Sequence, residues 1–294
     1  MKWGENMLED FKKYMIKNKL SENTYKSYLL DVKLYINYYK DSYGEDFEKL
    51  NSIDIQTYKS YLKNIENQKP VTINRKLNAL KKFNEYLVDK GIQNDIVIDK
   101  RDYIKIAPNF VKKDAPDEKE INKLIHKAVD SKRDTCIIIL ASNGGLRAEE
   151  IVNIKLIHVH LEQRFIAIIG KGEKYREVTI NDKMYKALQE YLEERLQTNQ
   201  DNPYLFVGKK SGFYKDKPMS RSIVNRILNK YNVEVKIEDL HPHLLRHYFG
   251  STAYYKAGYS LIQIASQLGH SDIKTTRGYI DNHNKNMLDL SNRL

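Results

Sequence analysis

The stretch HVHLEQRFIAIIGKGEKYREVTI, residues 158–180, decides the fold class of this chain. Its apolar residues recur with a period of two, whereas the residues before and after it show the 3.6-residue spacing of helices. Turn residues divide it into a short strand ending near Leu161, a strand over 164–169 and a return strand over 176–180. The sequence therefore predicts a mainly helical protein, formally α+β, with one small antiparallel three-stranded sheet.

Residues 1–92 are predicted to be entirely helical. The segment SENTYKSYLLDVKLYINYYK, residues 21–40, begins with a Ser N-cap and places apolar and aromatic residues at helical spacing. Further helices are predicted over 53–65 and over 71–90, the latter ending at Gly91. The last of these turns apolar residues inward, namely Ile73, Leu77, Leu80, Phe83 and Leu87.

The length of 294 residues indicates two domains of ordinary size. Helical periodicity fades after Ile92 and two prolines approach, so 93–115 is predicted to be a linker and 116–294 a second domain. Helices in that domain are predicted over 117–131, 134–142, 147–155, 183–198, 243–257, 260–268 and 272–281, with one more that begins after Ser220.

The charge balance points to a polyanionic partner. The net charge is +11 and the pI is near 9.3, and both predicted domains are basic. Nucleic acid fits this best, with a membrane surface second. The single cysteine, Cys136, lies in an apolar run and is expected to be buried and inert, which suits a reducing cytoplasm. We expect a cytoplasmic protein that is neither exported nor membrane-spanning, because no apolar run is long enough.

Two segments in the first half of the second domain contain candidate catalytic residues. In GGLRAEEI, residues 144–151, two glycines break a helix and Arg147 is followed one turn later by Glu150. In GKGEK, residues 170–174, glycines flank Lys171 at a hairpin tip; the spacing is not that of a phosphate-binding Walker A loop. A surface ion pair and an exposed turn lysine are the alternative interpretations.

Two later segments add histidines, a second arginine and a tyrosine. In HPHLLRHYF, residues 241–249, His243 and Arg246 share one helix face. A metal site built from His241, His243 and His247 is disfavoured, because no cysteine or carboxylate ligands accompany them and the adjacent arginine would repel a cation. In LGHSDIKTTRGYI, residues 268–280, Gly269 ends a helix, a histidine follows, and a tyrosine comes nine residues after it.

The order of these groups resembles the tyrosine recombinase family, which includes phage integrases, chromosome-dimer resolvases and transposon-borne resolvases. GLRAEEI, IIGKGEKYREV, PHLLRH and LGHSDIKTTRGYI each look like a family box over 134–285, and the similarity is looser over 1–92. The resemblance implies a C-shaped DNA clamp made of a helical core-binding domain and a catalytic domain. It also implies six catalytic residues: Arg147, Lys171, His243, Arg246, His270 and Tyr279.

The chemistry of phosphodiester cleavage makes this set intelligible. Substitution at phosphorus builds negative charge on the phosphate oxygens, so a catalyst needs fixed positive donors, a nucleophile and an acid for the leaving group. By the resemblance, Arg147, Arg246 and His270 hold the phosphate, Lys171 protonates the leaving 5′ hydroxyl, and His243 is the acid/base near the nucleophile. Tyr279 would form a 3′-phosphotyrosyl link, and Glu150 would support its neighbours. No metal and no cofactor is then expected.

The family implies how such a protein acts. Its partner would be double-stranded DNA with an inverted-repeat core site, bound by four copies arranged as two dimers, with an accessory DNA-bending protein as a further partner. The reaction would integrate, excise or resolve a mobile element or replicon. Three rivals stay open: a type IB topoisomerase, which rotates the strand, a catalytically silent DNA-binding protein, and a metal-dependent nuclease.

Polar helix faces supply candidates for DNA reading. In the helix over 71–90 the outward residues are Thr72, Asn74, Arg75 and Asn78, and in the helix after Ser220 they are Ser222, Asn225 and Arg226. Each set suits base or phosphate contacts, and a solvated face is the alternative in both. The amphipathic tail over 284–294 is too short for a stable isolated helix and would dock on a neighbouring copy or on its own domain.

Overall fold

The computed structural model of this chain describes residues 3–106, 115–170, 175–197, 202–207, 217–270 and 275–276. The chain divides into two compact units, Met1–Val111 and Lys112–Leu294. Within the described ranges, every helix is too short or too polar to cross a membrane.

Helices build the first unit, as predicted: α1 (Trp3–Lys17), α2 (Glu22–Tyr43), α3 (Ser52–Asn64) and α4 (Pro70–Asp89). Pro70 occupies the first turn of α4, where its missing N–H costs no helical hydrogen bond. All five apolar residues predicted to face inward from α4 are fully buried, and they share one core with residues of α1, α2 and α3. The helical spacing in the sequence therefore identified the buried face correctly.

Residues 93–106, which the sequence assigns to the linker, pack on the first unit. Ile98 is 1% exposed within the core of that unit. The buried Asn84 side chain bonds the backbone of Asp95 and Val97 at 3.0 and 2.7 Å, and Asn74 bonds both backbone groups of Ile104 at 2.9 Å. Hydrogen bonds from these side-chain amides take the place of the backbone hydrogen bonds of a helix or strand. The sequence of the segment therefore shows neither helical nor strand periodicity.

The second unit begins with α5 (Glu118–Lys127), α6 (Lys132–Asn143) and the short helix α7 (Ala148–Val152). The predicted helix over 117–131 is too long, since Ser131 accepts from the N–H of Asp134 and caps α6 instead. The prediction over 147–155 is also too long. The chain leaves the helix because Ile154 and Lys155 pair with residues 204–205, and a 3-10 turn follows over 156–158.

The predicted antiparallel sheet is confirmed, with strands β1 (Val159–His160), β2 (Phe165–Ile169) and β3 (Tyr175–Thr179) in that order. Val159 lies opposite Ile166, and Ile166 lies opposite Val178. Ile166 and Val178 belong to the core of the second unit, so one face of the sheet is covered, while Tyr175, Glu177 and Thr179 of β3 are exposed.

The helices α8 (Asp182–Gln197), α9 (Arg221–Val235), α10 (Pro242–Tyr255) and α11 (Leu261–Leu268) complete the described part of the second unit. α6 lies among them, and its residues from Cys136 to Ala141 are all buried. Cys136 is a buried free thiol, as expected from its apolar run. The predicted helix over 272–281 lies outside the described residues except at 275 and 276, which are helical.

Candidate active site

The turn after α6 brings three elements together. Gly145 has φ +65°, and a Cβ there would lie 2.6 Å from both Leu268 of α11 and Phe249 of α10. A side chain at this position would therefore strain the backbone and separate the helices. The close approach brings the Gly145 carbonyl to 2.7 Å from Nη1 of Arg246.

Glu150 is the hub of the site. Its carboxylate, 8% exposed, accepts from the backbone N–H of Arg147 at 2.8 Å and from Nη1 of Arg147 at 2.8 Å. Arg176 of β3 donates to both of its oxygens, Nη1 to Oε1 and Nη2 to Oε2, each at 3.0 Å. Burial opposes ionisation, but these hydrogen bonds and positive charges prevail and hold the pKa of Glu150 below its ordinary value.

Arg246 extends from α10 into the same site and is completely buried. It donates to the carbonyls of Gly145 and Leu268 at 2.7 and 2.5 Å, and its Nη1 lies 3.7 Å from Oε2 of Glu150. Arg147 also reaches the Leu268 carbonyl, at 3.4 Å, although its side chain is 43% exposed. The last carbonyl of α11, which carries the negative end of the helix dipole, therefore meets both arginines.

Two histidines lie near these arginines, and both have a lowered pKa that keeps the imidazole neutral at neutral pH. His270 follows Gly269, which ends α11 in a left-handed conformation, and its Nδ1 lies 2.8 Å from the hydroxyl of the buried Thr276. Burial and the charges of Arg246 and Arg147 lower the pKa of His270 to about 4. Burial and Arg246 also lower the pKa of His243.

His241, His243 and His247 lie near one another around the start of α10. The ring of His243 lies 4.8 Å from the ring of His247 in an edge-to-face contact and 6.4 Å from that of His241. Throughout the described ranges, no three His, Cys, Asp or Glu side chains are placed to hold a metal ion together.

The site thus has the features needed to bind a phosphate diester. Two guanidiniums aligned by one carboxylate present N–H donors that match phosphate oxygens in charge and geometry. A neutral imidazole beside them has one N–H to donate and one nitrogen to accept a proton. The structure brings together four of the six predicted catalytic residues, Arg147, His243, Arg246 and His270, together with Glu150. Lys171 and Tyr279 lie outside the described residues.

The candidate DNA-reading residues of α4 serve the first unit itself in three cases of four. Asn74 holds Ile104, Asn78 accepts from the hydroxyl of Tyr103 at 2.7 Å, and Arg75 pairs with the buried Asp31 of α2. Thr72 is half-buried. The polar face of α4 is therefore partly an intramolecular contact surface.

The candidates on α9 lie differently. Ser222, Asn225 and Arg226 are all exposed, and the Ser222 hydroxyl lies 2.9 Å from that of Ser220. Val224, Ile227 and Leu228 face the core on the opposite side and Ile223 is half-buried, so α9 is amphipathic. This helix offers its polar side to solvent or to a partner.

Sequence reasoning missed Arg176 and Thr276, whose side chains bond Glu150 and His270, and the link that Gln267 makes between α11 and β3 outside the site. Arg176 bonds Glu150, which lies 26 residues earlier, and Gln267 bonds the backbone of Thr179 at 3.2 Å. These pairings are non-local, so no spacing rule reveals them. The one available signal was that Arg176 shares the face of the apolar residues Val178 and Ile180 in a predicted strand.

Comparison with known proteins identifies the family. The phage integrase family model matches residues 115–286, and the model of the phage integrase N-terminal SAM-like domain matches residues 8–91. The TnP I resolvase of Bacillus thuringiensis is 34% identical over 98% of this chain and 99% of its own length. Tyrosine recombinase XerD of Oceanobacillus iheyensis is 28% identical over 94% of this chain and 93% of its own length.

Solved structures share the fold. A lambda integrase dimer bound to a COC′ core site gives a TM-score of 0.71 at 15% identity, with 95% of each chain covered. XerA recombinase gives a TM-score of 0.55 at 24% identity, with 98% of each chain covered. The sequence matches span both compact units, and the chain therefore belongs to the phage integrase family, the tyrosine recombinases.

Proposed function

We propose that this chain is a site-specific DNA recombinase that cleaves and rejoins DNA through a 3′-phosphotyrosyl intermediate formed on Tyr279. The observation that carries the proposal is the convergence of Arg147 and Arg246 on one carbonyl, with Glu150 and His270 beside them. A buried carboxylate that holds several guanidiniums together fits phosphate chemistry better than it fits fold stability alone.

In the proposed reaction the Tyr279 oxygen attacks phosphorus and the bond from phosphorus to the 5′ oxygen breaks. His243 takes the phenol proton, which its lowered pKa permits because the imidazole is neutral and able to accept. Lys171 gives a proton to the departing 5′ oxygen. The product is still a phosphodiester, so a 5′ hydroxyl of another strand can reverse the step without a cofactor.

Arg147, Arg246 and His270 are proposed to hold the phosphate during this step. Arg147 is the most exposed of the three, so it is accessible to a phosphate that approaches from solvent. Arg246 is fixed by its hydrogen bonds to two backbone carbonyls. A donor already fixed before the substrate arrives spends no energy on reorganisation when charge develops.

The proposed assembly follows the family. Two dimers would bind double-stranded DNA at inverted repeats, in the cytoplasm, with an accessory bending protein where the element requires one. The lambda integrase relative was solved as a dimer on its core site, which supports a dimeric unit. The TnP I resolvase relative supports a role in resolving or moving a mobile element.

The test is a covalent trapping experiment. The protein is incubated with EDTA and with nicked DNA from the flanks of its own gene, and SDS-resistant adducts are sought with wild type, Tyr279→Phe and Tyr259→Phe. Tyr259 is an exposed tyrosine outside the site and serves as the matched control. We expect an adduct in wild type and in Tyr259→Phe but not in Tyr279→Phe. Binding to a site without any adduct in wild type would favour the silent DNA-binding protein, and EDTA-sensitive cleavage without an adduct would favour the nuclease.

A further inference from the structure

Arg176 stands at the meeting point of three elements and takes no part in the chemistry assigned above. Its side chain, 13% exposed, leaves β3 and forms a fork with both oxygens of Glu150 at 3.0 Å. Its Nε donates to the backbone carbonyl of Gln267, near the end of α11, at 3.0 Å. One guanidinium thus bonds the hub carboxylate and the helix that precedes His270.

We propose that Arg176 is a positioning residue for DNA cleavage, which fixes the Glu150 carboxylate so that Arg147 and Arg246 keep the positions in which they bind the scissile phosphate. The inference rests on the proposed function, since it concerns the same site. It assigns to Arg176 a role exerted through Glu150 and not through contact with DNA.

The geometry around Glu150 explains why this carboxylate needs holding. Each of its oxygens already accepts from Arg147, and Oε2 is 3.7 Å from Nη1 of Arg246, just beyond hydrogen-bond distance. A carboxylate without the Arg176 fork would turn toward Arg246 and shorten that distance. Donors drawn into such an intramolecular pair are then lost to the phosphate.

The turn that leads to His270 depends on the same side chain. Gly269 has φ +66°, and a Cβ there would lie 2.9 Å from Cδ of Arg176. The arginine stem therefore packs directly against the Gly269 backbone, one residue before His270. Loss of the stem would loosen both the carboxylate and this turn, and displacement of a catalytic group by about 1 Å can cost about 100-fold in rate.

A merely structural role can be separated from this one, because Gln267 makes an independent link between the same elements. Its side chain accepts from the Thr179 N–H at 3.2 Å and donates to the Thr179 carbonyl at 3.5 Å. Gln267→Ala loosens β3 from α11 and leaves every contact of Glu150 in place. This variant is the matched control for Arg176→Ala.

The experiment measures cleavage of nicked site DNA in a single turnover at saturating protein, together with DNA affinity and thermal unfolding. We expect Arg176→Ala to cleave about 100-fold more slowly, with DNA affinity changed by no more than about twofold, because this mostly buried side chain is assigned no contact with DNA. Arg176→Lys keeps the charge and loses the fork, so it should cleave about tenfold more slowly and covers the case in which Arg176→Ala does not fold. Gln267→Ala should stay within about twofold of wild type.

A double-mutant cycle tests whether Arg176 acts through Glu150. If it does, Arg176→Lys combined with Glu150→Gln will cleave no more slowly than Glu150→Gln alone, because the lysine stem still packs beside Gly269 and no carboxylate remains to be positioned. The inference is overturned if the rate losses of the two single variants multiply in the double variant. It is also overturned if Gln267→Ala cleaves as slowly as Arg176→Ala. So would wild-type cleavage by Arg176→Ala, or by a folded Arg176→Lys. If wild type binds the site and forms no adduct, the proposed function itself fails and the inference fails with it, a result distinct from a defect confined to the variants.

Discussion

Both units bury a carboxylate beside arginine, Asp31 in the first and Glu150 in the second, and the pKa values of these two groups shift in opposite directions. Asp31 in α2, with a side chain 1% exposed, pairs with Arg75, and burial raises its pKa in spite of that charge. Glu150 in α7, 8% exposed, pairs with Arg147 and Arg176, and its pKa is lowered although burial acts on it too.

The number of hydrogen bonds to the charged form accounts for the difference. Asp31 is bonded by Arg75, whose guanidinium is 44% exposed and also donates to Ser27 at 2.7 Å. Glu150 receives a backbone N–H and three guanidinium N–H groups. A carboxylate that receives several charge-assisted bonds stays ionised when buried, and it can then hold several cations together. The first arrangement joins two helices, and the second organises a site for an anion.

The largest effect is expected from removing the second carboxylate. Glu150→Ala removes the carboxylate that pairs with Arg176 and lies 3.7 Å from the fully buried Arg246, which costs about 3 kcal/mol of unfolding free energy. We expect adduct formation to fall by about a thousandfold or more, because a misplaced donor to a developing oxyanion alone costs about 100- to 1000-fold. Urea unfolding and single-turnover cleavage measure the two losses.

Asp31→Ala is the matched control for that prediction. It removes a carboxylate of similar burial from the first unit, and it should lower the unfolding free energy while leaving the cleavage rate at saturating protein nearly unchanged. Equal losses of cleavage in the two variants would mean that Glu150 supports folding only.

A smaller effect is the pH dependence of stability near neutral pH. It belongs to the second unit, because all histidines of the chain lie there. The pKa of His270 is about 4 in the folded protein, against about 6.5 for an unfolded chain. The unfolded state binds the extra proton between these values, so stability is complete above pH 6.5 and falls as the pH falls toward 4. We expect a loss of about 1 to 2 kcal/mol between pH 7 and pH 5, after allowance for screening.

Urea unfolding of wild type and His270→Gln at the two pH values checks this. The variant should lose less stability on acidification than wild type does. An identical loss in both proteins would show that the imidazole takes up its proton as readily in the folded site as in the unfolded chain.

Local patterns explain what the sequence could predict. The apolar spacing of α4 and the change of period at β2 and β3 are properties of neighbouring residues, so the helices, the sheet and the buried faces follow from them. The order of Arg147, Glu150, His243, Arg246 and His270 was enough to predict that these side chains meet, through the resemblance to a family. Lys171 and Tyr279 stay predictions on the same basis.

Pairings between distant segments explain what the sequence could not reveal. Arg75 has the spacing of an outward residue, yet the carboxylate it meets lies 44 positions earlier on another helix. Residues 93–106 look like a linker because their order comes from Asn74 and Asn84, whose amides bond that backbone. A polar side chain has the same appearance in a sequence whether it binds DNA, water or a backbone carbonyl elsewhere in the chain.

DNA affinity allows a comparison of two exposed arginines, one in each unit. Arg226 lies exposed on α9, whereas Arg75 is held by Asp31 and Ser27. We expect Arg226→Ala to weaken binding to the site by up to about tenfold and to lower the salt dependence by about one counterion. Arg75→Ala should weaken binding less, since its guanidinium is already committed. Titrations by fluorescence anisotropy at several salt concentrations measure both, and a larger loss for Arg75→Ala would reverse the ranking.

The smallest effect concerns stability at acid pH. Protonation of the two carboxylates should change the unfolding free energy in opposite directions. The pKa of Glu150 is lowered on folding, so its contribution is present above the unfolded value of about 4.3 and is lost as the pH falls below it. The pKa of Asp31 is raised on folding, so stability falls as the pH rises through about 3.9 and upward to the folded value. Glu150→Gln should therefore flatten the loss of stability on acidification, and Asp31→Asn should steepen it, by less than about 1 kcal/mol each after screening. Urea midpoints collected from pH 3 to 6 resolve the two slopes, and slopes of the same sign would mean that the Arg75 pair stabilises the ionised Asp31 as effectively as the two arginines stabilise Glu150.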